Sequence, residues 1–227
     1  MEQENLFKKA KRAGIPLKVA LIGPSGSGKT FTALTLARGF GGSTGVLDTE
    51  NKRGLHYADR FDFLHLIMDA PFRPDRFIKV IDIAQKEGVN NLIIDSASHE
   101  WMGKGGCLDM HSQIQGNSYV AWAKITPLHT AFIQAIVDSP INIICCLRGK
   151  DEYVLEEDDK GKKVPKKLGV GAQMRDGLEY EMTTSFLLDQ QHIASCMKDT
   201  TGIFDSNGLK ILTEQDGINL AKWGRGE

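Results

Sequence analysis

Apolar positions along the chain alternate between two periods. LKVALIG (17–23) is a continuous apolar run of β-forming residues, and after a glycine-rich turn KTFTALTLARGF repeats its apolar positions at helical spacing. STGVLD (43–48) and FDFLHLI (61–67) predict two further strands. PDRFIKVIDIAQKEG opens on a proline, spaces Phe77, Val80, Ile81 and Ala84 helically and stops at Gly88, which predicts a helix. NLIID (91–95) and INIICCL (141–147) are apolar almost throughout, as in strands covered on both faces. Between them Thr126-Pro127 predicts an N-cap and a proline at the first helical position, opening a helix that runs to about Val137. Doubly buried strands alternating with helices predict an α/β fold, a mostly parallel sheet flanked by helices.

The pattern changes after Arg148. EYVLEED and GKKVPKK flank Asp159-Lys160-Gly161, which predicts a protruding basic hairpin or loop over 149–175. EMTTSFLLD and HIASCMKD predict two antiparallel strands at one sheet edge, and TEQDGINLAKWGRGE a closing helix capped by Thr213. No internal repeat or low-complexity linker divides the chain. The expected organisation is one domain over 17–227, preceded by a basic N-terminal segment (1–16) expected to be helical.

Composition changes this picture little, but charge narrows it. Apolar residues make up 41% and charged residues 25% of the 227, the balance of a soluble globular domain. No run approaches the roughly 18 apolar residues of a membrane span, and the polar start MEQENLFKKAKRAG has no secretory core. Cys107, Cys145, Cys146 and Cys196 show no metal-ligand spacing. Reduced thiols in a cytoplasmic protein are expected, with no membrane partner. A net charge of −1 excludes a globally basic surface, so any nucleic-acid contact must come from local patches. Two exist: Lys8, Lys9, Lys11 and Arg12, and the acid-free stretch holding Lys160, Lys162, Lys163, Lys166, Lys167 and Arg175.

The chemistry is written most clearly in Gly23-Pro24-Ser25-Gly26-Ser27-Gly28-Lys29-Thr30. This fits the phosphate-binding pattern G-x-x-x-x-G-K-[ST], with a strand before it and a helix after it. Its glycines let backbone N–H groups curl around phosphates at a helix N-terminus. Lys29 neutralises the β and γ oxygens, and the Thr30 hydroxyl ligates magnesium. ATP and Mg2+ are therefore the expected cofactors. Asp95 ends a buried strand about 65 positions after Thr30, where a carboxylate holding the magnesium shell belongs. Hydrolysis also needs a carboxylate to orient and deprotonate water. The position after Asp95 is Ser96, which leaves Glu50, just beyond the second strand, and Glu100 as the two candidates.

VLDTENKRGLHYAD and LIIDSAS resemble the corresponding segments of the RecA family, so the resemblance implies a RecA-like P-loop NTPase core. It maps the catalytic base onto Glu50 and the adenine-stacking aromatic onto Tyr57, a ring that core packing would account for equally. FKKAKR, GPSGSGKT, DSASHEW, GKGG, RGKDEY, RDGLEYEMT and KDTTGIF together resemble small phage-encoded RecA-like ATPases of the Sak type, the single-strand annealing recombinases. That resemblance runs from about residue 7 to 204. It implies an ATP-dependent recombinase that binds single-stranded DNA and promotes annealing or strand pairing in the cytoplasm of a phage's host. It makes Arg148 a sensor of the γ-phosphate and Lys198 a cation reaching a neighbour's γ-phosphate. DNA would face Trp101–Ser118, with Lys104, and Gly149–Arg175, with the lysine cluster. A homo-oligomer, ring or filament, is implied, with Phe7-Lys8-Lys9-Ala10 as a docking motif and a single-strand binding protein as a further partner. The alternatives are an ATP-binding recombination or replication accessory, and a small-molecule P-loop kinase, which would carry an arginine-rich lid where this chain has lysines.

Overall fold

The computed structural model describes residues 9–157, 163–175, 177–204 and 208–227, with hairpin residues 151–157 and 163–170 described by backbone alone. The described strands are β1 (Lys18–Gly23), β2 (Thr44–Asp48), β3 (Leu64–Ile67), β4 (Asn91–Asp95), β5 (Asn142–Glu157), β6 (Lys163–Ala172), β7 (Thr184–Leu188), β8 (Ala194–Asp199) and β9 (Leu209–Lys210). The described helices are α1 (Lys29–Phe40), α2 (Pro74–Lys86), α3 (Ser98–Met102), α4 (Cys107–Ser112), α5 (Ser118–Asp138), α6 (Leu178–Glu181) and α7 (Glu214–Arg225). The strands form one sheet in the order β3-β2-β4-β5-β1-β7-β8-β9, and β6 pairs with β5 beyond it. From β3 to β7 all pairings are parallel, while β8 and β9 extend the edge antiparallel. The expected mostly parallel α/β sheet with antiparallel edge strands is present.

Alternation along each strand splits the apolar residues between two cores. Ala20, Ile22, Leu47, Ile94, Ile143 and Cys145 point to one face, where they meet Phe77 and Ile81 of α2 and Phe132 and Ile136 of α5. Val19, Leu21, Val46, Ile93, Ile144 and Cys146 point to the other, against α1 and α7. Both sets are buried, which is why these strands read as continuous apolar runs. The helices α1 and α7 meet backbone to backbone at Gly39 and Gly217, where a Cβ on either would collide with main-chain atoms of the other helix.

Three elements depart from the sequence pattern. Helix α5 starts at Ser118, with the Asn117 side chain accepting from the Tyr119 N–H at 2.8 Å, so Pro127 lies inside the helix rather than at its start. Pro127 and Ala123, whose carbonyl loses its helical donor, are both exposed, so water can replace that bond. The inward face, Ala121, Ile125, His129, Phe132 and Ile136, continues through it unbroken. Strand β5 does not stop at Leu147 but runs through Arg148 into an antiparallel pair with β6, from Gly149↔Ala172 to Glu157↔Lys163. The hairpin expected over 149–175 is thus a direct extension of a core strand. Finally, Trp101–Ser118 is not an open loop, since it contains the end of α3, all of α4 and the start of α5.

Residues 9–17 at the N-terminus are irregular rather than helical. They follow α7: the Ile15 N–H donates to the Gly224 carbonyl at 2.9 Å, and the Arg12 guanidinium lies over the Trp223 ring. Phe7 and Lys8 of the docking motif lie outside the described residues.

Candidate nucleotide site

Parallel pairing brings three strand ends, and Arg148 within β5, to one edge of the sheet. Gly23 of β1 is opposite Arg148 of β5, and Asp48 of β2 is opposite Asp95 of β4. In open α/β sheets this carboxyl edge is where ligands bind. The turn from β1 into α1 crosses it. Gly26 and Gly28 take φ values of 84° and 82°, a left-handed conformation that glycine adopts without strain. A Cβ on Gly28 would also lie 2.8 Å from Nδ1 of His192, which closes over the loop from the β7–β8 turn.

Lys29 opens α1, and its ammonium donates to the Gly23 and Pro24 carbonyls, both at 2.8 Å. Burial lowers its pKa, helped by the Arg148 charge and opposed by Asp95 and Glu50. The Ser27 hydroxyl is buried without a partner among the described residues. One helical position on, the Thr30 hydroxyl donates to Asp95 Oδ2 at 2.5 Å. Burial raises the Asp95 carboxyl to about 6, against the stabilising hydrogen bond from Thr30. The peptide that follows Asp95 is cis.

Asp95 therefore costs stability when it is charged. Its folded pKa is above the ordinary 3.8, so the folded chain holds the proton more tightly than the unfolded chain does. The favourable contribution is present in acid and is lost as pH rises from about 4 to about 6. Asp95→Asn should stabilise the nucleotide-free chain at pH 8 by about 1–3 kcal/mol while weakening magnesium-dependent ATP binding. Urea unfolding at pH 5 and pH 8 checks it, and a variant less stable than wild type at pH 8 would contradict the assignment.

Asp48 organises the segment that carries Glu50. Buried at the end of β2, it accepts from the N–H groups of Glu50 and Gly54, both at 2.8 Å, and contacts Nε2 of His65 at 3.0 Å. Gly54 lets the loop approach closely, since a Cβ there would lie 3.1 Å from Asp48 Oδ2 and press on it. The Glu50 carboxylate then projects toward Arg148, whose Nε and Nη2 are 2.9 and 2.7 Å from Glu50 Oε1. Arg53 approaches its other oxygen at 3.5 Å. Glu50, Arg148, Asp95, Lys29 and Thr30 all line a single cleft of about 960 Å3, room enough for a nucleotide. Glu100 does not line it; that side chain is fully buried elsewhere, against Cys107 and His129.

The cleft has an aromatic wall. Tyr57 lines it and packs at a tilt on Phe31, with ring centroids 6.0 Å apart. Arg60 covers Phe31 from outside. Arg53, His56, Arg60, Gln173, His192, Ile211 and Leu212 also line the cleft and carry no motif that would mark them in sequence. His192 has a local signal, because Asp189 Oδ1 accepts from the N–H groups of Gln191 and Ile193 and shapes the turn.

Other predicted residues lie apart from the cleft. The Lys198 ammonium donates to the carbonyls of Tyr180 and Met182 in its own chain. Lys104 is exposed on the turn between α3 and α4. Arg175 is exposed and donates to the Thr126 hydroxyl at 2.8 Å. Lys163, Lys166 and Lys167 lie on β6, while Lys160 and Lys162 fall outside the described residues.

A glycine cradle at a helix N-terminus, an ammonium, an orphaned hydroxyl and a Thr–Asp pair fit a nucleoside triphosphate with magnesium. On this sheet they define a P-loop nucleoside triphosphatase. Residues 15–191 match the family model described as an AAA domain, and the chain belongs to that family of nucleotide-binding ATPases. No curated protein matches the chain significantly. No described helix is long and apolar enough to cross a membrane.

Proposed function

We propose that this chain is an ATPase acting on single-stranded DNA, a RecA-like recombinase of the annealing type, with Glu50 as the base that activates water. The observation that supports it best is the Glu50–Arg148 pair. It is a carboxylate and a cation at the cleft, and the cation lies on the strand that continues into the basic hairpin.

The chain's residues divide the work by position. Lys29 exchanges the Gly23 and Pro24 carbonyls for the β and γ phosphate oxygens, while the N–H groups of Gly26–Thr30 hold the phosphate chain. Thr30 and Asp95 would hold magnesium, which when bound supplies a Lewis acid for the phosphate oxygens. Arg148 leaves Glu50 for the γ-phosphate, and the freed Glu50 carboxylate takes the proton of the attacking water. The bond to the bridging oxygen breaks, and ADP and phosphate leave. Tyr57 and Phe31 form the wall for the base. A role for Lys198 at a neighbour's γ-phosphate requires its ammonium to leave the Tyr180 and Met182 carbonyls.

The DNA contact is assigned to the hairpin, where Lys160, Lys162, Lys163, Lys166 and Lys167 neutralise phosphates without reading bases, with Arg175 following it and Lys104 on the α3–α4 turn as further contacts. Binding is then independent of sequence and sensitive to salt. Replacing the five hairpin lysines with alanine should flatten the salt dependence of single-stranded DNA binding by about 0.7 log units per lost contact. ATP affinity of the free chain should stay the same. Fluorescence anisotropy with a labelled oligonucleotide over a salt series measures both, and an unchanged slope would remove DNA from the hairpin.

A further inference from the structure

Outside the nucleotide cleft, three buried side chains of metal-binding chemistry converge. Glu100 comes from α3, Cys107 opens α4 and His129 sits midway along α5, and their ligand atoms all lie within 4.8 Å of one another. Glu100 and Cys107 have no exposed surface and His129 only 5%. Cys107 Sγ is 3.1 Å from Glu100 Oε1, and His129 Nδ1 is 2.9 Å from Glu100 Oε2 and 3.2 Å from Oε1.

The backbone is folded tightly to make this meeting. Gly103, Gly105 and Gly106 reverse the chain between α3 and α4. A Cβ on Gly106 would lie 2.6 Å from the Glu100 carbonyl, and one on Gly103 would lie 2.7 Å from the His99 carbonyl. That reversal lays Cys107 back over Glu100. A carboxylate without solvent needs a compensating positive charge, and among the described residues the ion-pair partner of Glu100 is His129, which carries charge only when protonated, with no lysine or arginine beside it. What faces it is a thiol and an imidazole, two groups that bind borderline divalent ions in preference to magnesium or calcium.

We infer that Glu100, Cys107 and His129 form a zinc site that pins α3, α4 and α5 together. Ordinary zinc bond lengths place tetrahedral ligand atoms about 3.3–3.6 Å apart. The contacts of Cys107 Sγ and His129 Nδ1 with Glu100 Oε1, 3.1 and 3.2 Å, need to open by only a few tenths of an ångström, and the sulfur and nitrogen already lie within 4.8 Å of each other. Zinc would take a carboxylate oxygen, the imidazole nitrogen and the sulfur, and the Cys107 thiol would give up its proton to solvent. The role is structural: Trp101, adjacent to Glu100, stacks on Trp122 and lies edge-on to His129, so the ion fixes the aromatic layer above it.

The test uses the full chain without an affinity tag, loaded with zinc, desalted and assayed by elemental mass spectrometry. One zinc per chain is expected, and Cys107→Ser and His129→Ala should lose it. Cobalt substitution should produce a thiolate charge-transfer band that Cys107→Ser lacks. Cys107→Ala, which keeps the position apolar, serves where the serine variant fails to fold. A wild-type chain that retains no zinc overturns the site whatever the variants do. Equal retention by wild type and both variants overturns it as well.

Discussion

Lys29→Ala is expected to reduce ATP hydrolysis by at least about 10²–10³-fold, the scale for removing one transition-state donor, and to weaken ATP binding with it. The reason is positional. Lys29 is the first residue of α1, and its ammonium already lies against the Gly23 and Pro24 carbonyls at the rim of the phosphate cradle. Charge builds on the γ-phosphate oxygens as the bond to the leaving group breaks, and Lys29 is the cation of the loop itself. Alanine keeps α1 intact and removes only the charge. Steady-state phosphate release together with a nucleotide-binding titration measures both effects. Hydrolysis within a few-fold of wild type would show that the phosphates sit elsewhere.

The second large effect separates chemistry from binding. Glu50→Gln should bind ATP within a few-fold of wild type and turn it over at least about 10²-fold more slowly, the range for loss of a general base. Glutamine can still accept from Arg148, so the wall of the cleft survives while the proton acceptor is lost. Single-turnover hydrolysis with prebound ATP gives the chemical step directly. Glu100→Gln is the informative control: Glu100 is fully buried against Cys107 and His129, so its replacement should act on stability and leave the chemical step of the folded chain near wild type. The opposite ranking of the two variants would place the base on α3.

The parts of this site written in contiguous residues are legible in the amino-acid sequence alone. Gly23–Thr30 is a local pattern whose geometry follows from its glycines, and Asp95 is marked by the buried strand it ends. Glu50 and Arg148 are different, since 98 positions separate them and their pairing depends on sheet register. Resemblance supplies both residues, but not the ion pair between them. The remaining cleft walls are not legible for the same reason. His192 reaches Gly28 only because β7 lies beside β1, and Ile211 and Leu212 arrive from the segment between β9 and α7. Pro127 misleads because a proline at a helix start and an exposed proline inside a helix leave the same local mark. What distinguishes them is the apolar face running through Ala121 and Ile125, ahead of the proline. The glycines around Lys104 read as an open loop, whereas they form the tight reversal between α3 and α4.

The Glu50–Arg148 pair also joins the cleft to the hairpin. Arg148 is the register partner of Gly23, and the residue after it begins the pairing with β6. The Gln173 N–H, on the return strand's side, donates to the Arg148 carbonyl at 2.6 Å, and Gln173 lines the cleft. Under the proposed function, a change in hairpin position on binding DNA would reach Arg148 and, through it, Glu50.

Phosphate release by the wild-type chain with ATP and magnesium, measured with and without single-stranded DNA, decides whether this chain is a DNA-dependent ATPase. The rate should rise with single-stranded DNA, be abolished by Lys29→Ala, and lose its DNA response when the five hairpin lysines are replaced. A rate unchanged by DNA, under conditions where binding of that DNA is demonstrated, would contradict it.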